Sequence, residues 1–276
     1  MQLTDCVTTK CKSLHTFTRN RYFYGQLLDV EHFDGDQRYF NEKRWLLNRT
    51  ISGWGVVCGL DVQLRDGGKS IVVMPGLALD QCGREIVVPC PSCHVPIPAP
   101  TPSGEKKEQA PEGDPRQANW PRKGHHAGGD DHCDDSDSVH VCLYYCECET
   151  DPAPVMASDC DSQQYCVSGK TAERYRICFK RGKARRPDVE CSVPDMISGG
   201  RINYPALAVR VTENCPSPPE DTCVPLANIR IPESGLPHPN DIDITIRPIV
   251  YSNDLLWELI AGLVNESQPQ ARGGKY

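Results

Sequence analysis

The chain lacks the features that mark several common classes of protein. Lys and Arg number 30 against 37 Asp and Glu, a formal net charge of −7, so no overall positive field attracts phosphate backbones or anionic lipids. No stretch approaches the roughly 20 apolar residues of a membrane-spanning helix. Residues 1–6 contain neither the basic nor the apolar part of an export signal. We therefore expect a cytoplasmic protein that neither binds nucleic acid nor inserts into membranes.

Sequence signatures of common catalytic sites are also missing. The chain contains no GxSxG, no HExxH, no phosphate-binding GxxxxGK[ST] and no strand-linked GxGxxG. The remaining catalytic alternative is a zinc-dependent hydrolase that combines residues 125–133 with Cys93 or His94. Residues 125–133 have no aliphatic neighbours to hold metal ligands in position. We therefore predict that the chain is not an enzyme.

Cysteine, in contrast, is abundant, with 16 residues. In a reducing compartment, clustered cysteines are more often metal ligands or buried apolar groups than disulfides. If residues 139–148 form a strand, Cys146 and Cys148 lie on one face, next to a loop that carries Cys160 and Cys166. We predict that these four hold a structural zinc; buried free thiols or late disulfides are the alternative. A second candidate set consists of Cys82, Cys90, Cys93 and His94.

The hydrophobic pattern predicts a mainly β fold with a helix near each end. Asp29 is suited to cap a long amphipathic helix that ends near Thr50, and residues 254–264 have the same spacing in a shorter helix. Alternating segments between Gly and Pro turns predict strands in β-sandwich or barrel-like modules. The predicted strands cover residues 60–65, 70–74, 83–88, 138–148, 174–179, 206–211, 224–229 and 242–246.

The composition divides the chain into five segments. They are an N-terminal arm and helix at 1–54, a β meander at 55–95, a polar surface insertion at 96–137, a Cys-containing β region at 138–250, with a turn at 151–154, and a C-terminal helix and tail at 251–276. The insertion is rich in Pro, Gly and charged residues and has almost no aliphatic side chains, so it cannot offset its ordering entropy by burial. We predict that it is dispensable for folding.

Motifs in the first 90 residues resemble a poorly characterised bacterial family. They are RYFYGQLL at 21–28, QRYFNEKR at 37–44 and GWGVVCGL at 53–60, and residues 72–88 are similar to β modules of tail baseplate and fibre-attachment proteins. The family is associated with phage-tail-like contractile injection systems. The resemblance implies a structural subunit at the baseplate or another accessory position, oligomeric within the particle, built in the cytoplasm and able to be released later with the particle.

Large aromatic side chains are concentrated between residues 22 and 54, and such groups are typical anchors of protein interfaces. The predicted interface residues are Tyr22, Phe23, Tyr24, Arg38, Phe40, Trp45 and Trp54. The alternative is that these aromatics cover the chain's own core, because aromatics dominate cores as well as contacts. A stand-alone adhesive or ligand-binding module is a third functional class that the sequence leaves open.

Overall fold

A computed structural model of the chain describes residues 6–7, 11–99, 137–154, 166–187, 197–198, 201–212, 215, 217, 219–232 and 234–266. The helices are α1 (Val30–Leu47), α2 (Tyr204–Arg210) and α3 (Asn253–Glu266). The strands are β1 (Cys6–Val7), β2 (Gly55–Gly59), β3 (Val62–Arg65), β4 (Ser70–Val73), β5 (Gly76–Leu79), β6 (Glu85–Val88), β7 (Val95–Pro96), β8 (Ser138–Pro154), β9 (Cys166–Arg181), β10 (Ile197–Ser198), β11 (Arg201–Ile202), β12 (Val224–Arg230) and β13 (Ile242–Asp243). The predicted class, mainly β with a long helix near the N-terminus and a shorter one near the C-terminus, is confirmed.

The long strand β8 organises the largest sheet. It pairs antiparallel with β9 from Val139 opposite Arg181 to Pro154 opposite Cys166. Strands β12 and β1 also pair with β8, and β13 extends the sheet from β12. Two three-stranded sheets, β2–β5–β6 and β3–β4–β7, and the β10–β11 pair account for the other described strands, which form no closed barrel.

Residues 55–95 do not form the predicted meander. Consecutive strands β2 and β3 pair with β5 and β4 respectively, and so lie in different sheets. The chain passes from one sheet to the other at Gly59 and Leu60, whose φ angles of 66° and 57° are left-handed. A Cβ added at Gly59 would lie 2.2 Å from the Pro75 carbonyl oxygen. This close crossing needs glycine, and it diverts the chain out of a simple meander.

One apolar core joins the two regions that the sequence pattern separated into 55–95 and 138–250. The first region supplies Val56, Leu60, Val62, Ile71, Val73, Ala78, Ile86 and Val88, and the second supplies Val139, Val141, Leu143, Tyr145, Val224, Leu226, Ala227, Ile229 and Ile231. Arg247 adds a polar link, donating to the carbonyl oxygens of Leu226 at 2.5 Å and Leu60 at 2.9 Å. The two regions are therefore one packed unit.

Three local predictions in the second half of the chain were wrong. Residues 206–210 lie in α2 and Val211 is its C-cap, so the segment is not a strand. Asn203 accepts a hydrogen bond from the Ala206 N–H at 3.4 Å and Pro205 occupies the first turn, which favours the helix. The predicted turn at 151–154 is the end of β8. The predicted strand at 242–246 is reduced to β13. Most of the predicted insertion, residues 100–136, lies outside the described residues.

Candidate functional site

Residues 11–28, which we call the arm, run antiparallel along α1. The contacts follow one another along the pair: Lys12 and His15 with Glu42, Phe17 with Tyr39 and Lys43, and Asn20 and Tyr22 with Asp36. A turn closes between them, where Gly25 has a φ of 83°. Asp29 then begins the helix by accepting from the Glu31 N–H at 3.0 Å. The arm and α1 thus form one hairpin.

Glu42 is a central polar link in this hairpin. Its side chain contacts Lys12 Nζ and lies 3.1 Å from His15 Nε2. Burial alone would raise the pKa of Glu42, but the hydrogen bonds from Lys12 and His15 outweigh burial and lower the pKa below its ordinary value. The charged carboxylate therefore holds the arm against the helix at neutral pH.

Polar contacts attach the C-terminal end of α1 to the turn between β5 and β6. Asn48, the first residue of a π-helical turn that follows α1, donates from Nδ2 to the Gly83 carbonyl and to Glu85 Oε1, both at 2.8 Å. Arg44 Nε lies 3.0 Å from the same Glu85 oxygen. A Cβ at Gly83 would lie 2.0 Å from the Trp45 carbonyl oxygen. Close backbone approach and charged groups, rather than an apolar face, position the helix.

A disulfide fixes the arm to the same turn. Cys11 at the start of the described arm is bonded to Cys82, which precedes Gly83, and their Cα atoms are 5.4 Å apart. Together with the Arg49 Nη1 hydrogen bond to the Lys12 carbonyl at 2.7 Å, it anchors one end of the hairpin to the β sheets. At the other end of the hairpin, which contains the turn, the apolar side chains are exposed.

Apolar side chains of the hairpin are exposed. No side chain of α1 is buried. Phe33, Phe40 and Leu47, which we call the heptad row, recur at a seven-residue spacing that keeps them on one side of a helix, and each is more than half exposed. The exposed residues around the turn, which we call the apolar tip, are Phe23, Tyr24, Leu27, Leu28 and Val30. The hairpin therefore carries a series of uncovered apolar groups.

The predicted interface residues occupy different environments. Five of them are exposed on the arm or on α1: Tyr22, Phe23, Tyr24, Arg38 and Phe40. Tyr22 also donates from its hydroxyl to Asp36 at 2.5 Å, so it contributes to the hairpin itself. Trp54 is 36% exposed. Trp45 is half-buried, and the described part of the chain offers its indole Nε1 no hydrogen-bond partner.

Trp45 lines a cavity of about 350 Å³ that is also bounded by arm residues such as Phe17 and by Cys82 of the β5–β6 turn. Its ring therefore packs within the chain. The hypothesis that the aromatics cover the chain's own core fits Trp45. It does not fit Phe23, Tyr24 and Phe40, because each of these side chains is largely exposed.

Of the four cysteines predicted to share a zinc, the three that the structure describes are not brought together. Cys146 lies opposite Arg174, whereas Cys166 lies opposite Pro154, about 26 Å farther along the hairpin at the usual strand rise. Cys148 is disulfide-bonded. Cys160 lies outside the described residues. Cys146 is a buried free thiol, and burial raises its pKa, so this set gives no zinc site.

The second candidate set is not an intact ligand group either. Cys82 is bonded to Cys11. Cys90 and Cys93 are free and exposed, and His94 Nδ1 lies 2.8 Å from Asp66 Oδ2. The four residues therefore do not form a common site. The histidines and aspartates of the hydrolase alternative, residues 125–133, lie outside the described part of the chain.

The structure instead gathers His140, Cys142 and Cys223, which the sequence pattern did not single out together. One ligand atom from each lies within 4.8 Å of the others, so the group could hold a metal. Cys142 and Cys223 are joined by a disulfide, with Cα atoms 5.3 Å apart. Metal binding by the group requires that this disulfide be reduced, since thiolates are the ligands. The His140-x-Cys142 spacing on β8 was the available sequence signal, but Cys223 is 81 residues away.

Charged groups surround this cluster. Tyr144, next to Cys142 in the same small apolar cluster, donates to Asp221 Oδ1 at 3.0 Å. Arg176 and Lys180 approach the Tyr144 ring at 5.3 and 5.5 Å. Burial, together with Asp221, raises the pKa of Tyr144. Burial would raise the pKa of Asp221 as well, but hydrogen bonds from Lys180 and Tyr144 lower it, so an anion and two cations flank the cluster.

Comparison with known proteins assigns no family to the chain: no family model matches it, and no curated protein matches it. The resemblance to a contractile-system family stays a prediction that depends on the motifs in the first 90 residues. Among the described helices, none combines the length and the apolar character needed to cross a membrane.

Proposed function

We propose that the chain is a structural subunit of a phage-tail-like contractile particle, at the baseplate or another accessory position, that acts by packing against other subunits and not by catalysis. The observation that supports this most is that α1, 18 residues long, buries none of its side chains. Such a helix is about 27 Å long. Helices in proteins gain most of their stability by packing an apolar face. Trp45 of α1 packs within the chain, but the heptad row on the same helix stays more than half exposed within the described chain.

The energetics favour burial of the hairpin against a neighbouring subunit. Burying one large apolar side chain contributes roughly 1.5–3 kcal/mol. The apolar tip and the heptad row together offer eight such side chains, all largely exposed. Association costs on the order of 4–15 kcal/mol, a cost of the same order as the gain from burying this whole set. A surface of this composition therefore suits a lasting contact between subunits.

Polar groups beside the apolar series fit the rim of an interface. Arg19, Arg21 and Arg38 are exposed on the arm and on α1, and arginine is enriched at protein interfaces. A second apolar surface is exposed on α3, where Trp257 is 71% exposed. Two separate surfaces would let one subunit contact more than one neighbour, as a subunit inside a particle must.

The test is purification of the native protein from its own cells, followed by incorporation assays with variants. We expect the wild-type chain to copurify with sheath- and tube-containing particles. Tyr24→Ala and Phe40→Ala should each weaken association by about 2 kcal/mol, roughly 30-fold, because large aromatics are typical anchors. The isolated variants should melt at the wild-type temperature, since both side chains are exposed. Tyr204→Ala, which changes an exposed aromatic on α2, is the matched control.

Two results would contradict the assembly role. One is a native chain that purifies alone, with hydrolytic activity or with a bound ligand. The other is normal incorporation of both Tyr24→Ala and Phe40→Ala. If either variant instead melts early in isolation, the changed aromatic belongs to the fold of the subunit and not to a contact between subunits.

A structural zinc remains the proposed cofactor, at a different place from the predicted one. The group that supports it is His140, Cys142 and Cys223, the one cluster of metal-binding side chains found in the described residues. A closed zinc site contributes on the order of 10 kcal/mol of folding free energy. Zinc would therefore stabilise the reduced chain at the junction of β8 with the start of β12.

A further inference from the structure

We propose that Cys178 is the fourth ligand of a Cys₃His zinc site with His140, Cys142 and Cys223, and that this site and the Cys142–Cys223 disulfide are alternative states of the same residues. The inference rests on the proposed structural zinc and is independent of the proposed assembly role. Cys178 is a free, half-buried cysteine, and it packs against the cluster that contains Cys142 and Cys223.

The strand pairing brings Cys178 to the cluster. Cys142 on β8 and Cys178 on β9 are direct Cα partners, and side chains at opposite positions lie on the same face with Cβ atoms about 4.5–5.5 Å apart. A tetrahedral zinc with Zn–S bonds of about 2.3 Å holds its sulfurs roughly 3.8 Å from one another. The ligand atoms of His140, Cys142 and Cys223 already lie within 4.8 Å of one another. Cys178 is not among these three, so its side chain must rotate toward the cluster before all four residues can surround one ion.

The hydrogen bond of His140 leaves the correct nitrogen available. Its Nδ1 lies 2.8 Å from the Gly182 carbonyl oxygen. A carbonyl oxygen only accepts, so Nδ1 carries the proton and the lone pair is on Nε2. Metal-binding histidines typically donate their other ring N–H to a carbonyl or a carboxylate in this way, which fixes the orientation of the ring.

Burial and charge favour a structural site with thiolate ligands. Cys142 is fully buried and Cys223 is 7% exposed, so little room is left for the open coordination position of a catalytic zinc. Three thiolates, a neutral imidazole and Zn²⁺ carry a net charge of −1. Lys180, the Cα partner of His140, and Arg176, the Cα partner of Tyr144, place two positive charges on the same face of the sheet. Asp221 is paired with Lys180, so one net positive charge is left to stabilise that anion.

The two states exchange by a balanced reaction. A phosphine or dithiol reductant supplies two electrons, and with two protons from solvent the disulfide becomes the thiols of Cys142 and Cys223. Zn²⁺ then displaces one proton each from Cys142, Cys178 and Cys223, while His140 Nε2 binds through its lone pair. Because the sulfurs of Cys142 and Cys223 take part in both states, the oxidised chain has no complete site.

The test uses the full chain, reduced with a phosphine that is removed under anaerobic conditions, and Co²⁺ as a spectroscopic substitute for Zn²⁺. We expect the reduced chain to bind one more tetrahedral, thiolate-bound metal than the oxidised chain, by elemental analysis and visible absorption. Cys178→Ser and His140→Ala should lose that metal. Cys146→Ser, which removes another free thiol from the same face of β8, should keep it, as should Cys90→Ser/Cys93→Ser.

The outcomes separate this inference from the zinc proposal. If Cys142→Ser loses the metal but Cys178→Ser keeps the same spectrum and affinity, zinc binds and Cys178 is not its ligand. If neither substitution changes the metal content, or if the oxidised chain binds equally, both the zinc proposal and the role of Cys178 are wrong. Oxidised Cys178→Ser retains the Cys142–Cys223 disulfide, so an unchanged melting temperature in that state excludes misfolding as the cause of metal loss.

Discussion

Asp80 and Arg84 form an ion pair that is almost completely removed from water. Arg84 Nε donates to Asp80 Oδ2 at 2.7 Å, with side chains 1% and 0% exposed. The other carboxylate oxygen accepts from the backbone N–H groups of Cys82 and Arg84, both at 2.9 Å. Burial raises the pKa of Asp80, and the guanidinium opposes that rise. Because the guanidinium also lies 4.9 Å from the centre of the Tyr145 ring, the pair links the β5–β6 turn to β8.

Removal of one partner should be costly. We expect Asp80→Ala to lower the free energy of unfolding by about 3–5 kcal/mol, because it removes the carboxylate that pairs with a buried guanidinium. Asp80→Leu combined with Arg84→Met should recover part of the loss, since apolar groups of similar volume often replace a buried pair without penalty. Recovery should be incomplete because two backbone N–H groups lose their acceptor. Urea denaturation of the purified variants measures both values.

An exposed ion pair in the same chain provides the control. Lys170 Nζ lies 2.8 Å from Asp151 Oδ2, and both side chains are more than half exposed. Lys170→Ala should change the free energy of unfolding by less than about 1 kcal/mol. A loss for Asp80→Ala as small as that of the control would mean that the buried pair does not stabilise the turn.

At the scale of elements, the position of α1 depends on the close approach between its C-terminal end and Gly83. The φ angle of Gly83 is 87°, and a Cβ there would lie 2.0 Å from the Trp45 carbonyl oxygen. Both features exclude a larger residue without movement of the helix. The apolar series of the hairpin is thus presented by a helix whose attachment to the sheets is local and polar.

Gly83→Ala should therefore lower the free energy of unfolding by roughly 2–5 kcal/mol, combining the left-handed strain of about 1–2 kcal/mol with an overpacking cost of about 1–3 kcal/mol. Gly67→Ala is the matched control: Gly67 has a φ of 67° but no atom within 4 Å of an added Cβ, so only the strain should appear. Equal losses in the two variants would show that the contact with α1 is not tight. Chemical denaturation, followed through tryptophan fluorescence, supplies the measurement.

At the scale of the whole molecule, one core spans the chain on both sides of residues 100–136. Strand β7 pairs with β4, and Ser138 at the start of β8 pairs with Arg230. The structural elements on either side are therefore secured by residues outside that segment. The segment itself contains almost no aliphatic side chains.

Replacing residues 100–135 with a Gly/Ser linker should leave the melting temperature within a few degrees of the wild-type value, because a segment with few apolar groups contributes little burial energy. Ile71→Ala in the same assay is the positive control, since Ile71 is fully buried and its truncation should cost about 2–5 kcal/mol. A large drop in melting temperature for the replacement would show that the segment packs on the core.

Elements whose signals are local could be predicted from the amino-acid sequence. Asp29 and the apolar spacing after it predict α1, and the apolar face after Asn253 predicts α3; each signal lies within a few residues of the element that it specifies. The strand at 224–229 was predicted despite Pro225, which the sheet accommodates at an irregularity in the β12–β8 register. Residues 206–211 were misassigned because alternation over six residues does not distinguish a strand from a short capped helix.

Tertiary structure alone decided which residues meet. Cys142 lies opposite Cys178 in the β8–β9 pairing and is bonded to Cys223, which is 81 residues away in the sequence. No local spacing encodes either contact. Local spacing also does not encode the crossing at Leu60, which divides residues 55–95 between two sheets. For α1, the amphipathic pattern predicts an apolar side of the helix but not which residues pack against that side. The physical reason is that pairing partners and register follow from how buried faces pack together, whereas a sequence pattern reports only which face of each element is apolar.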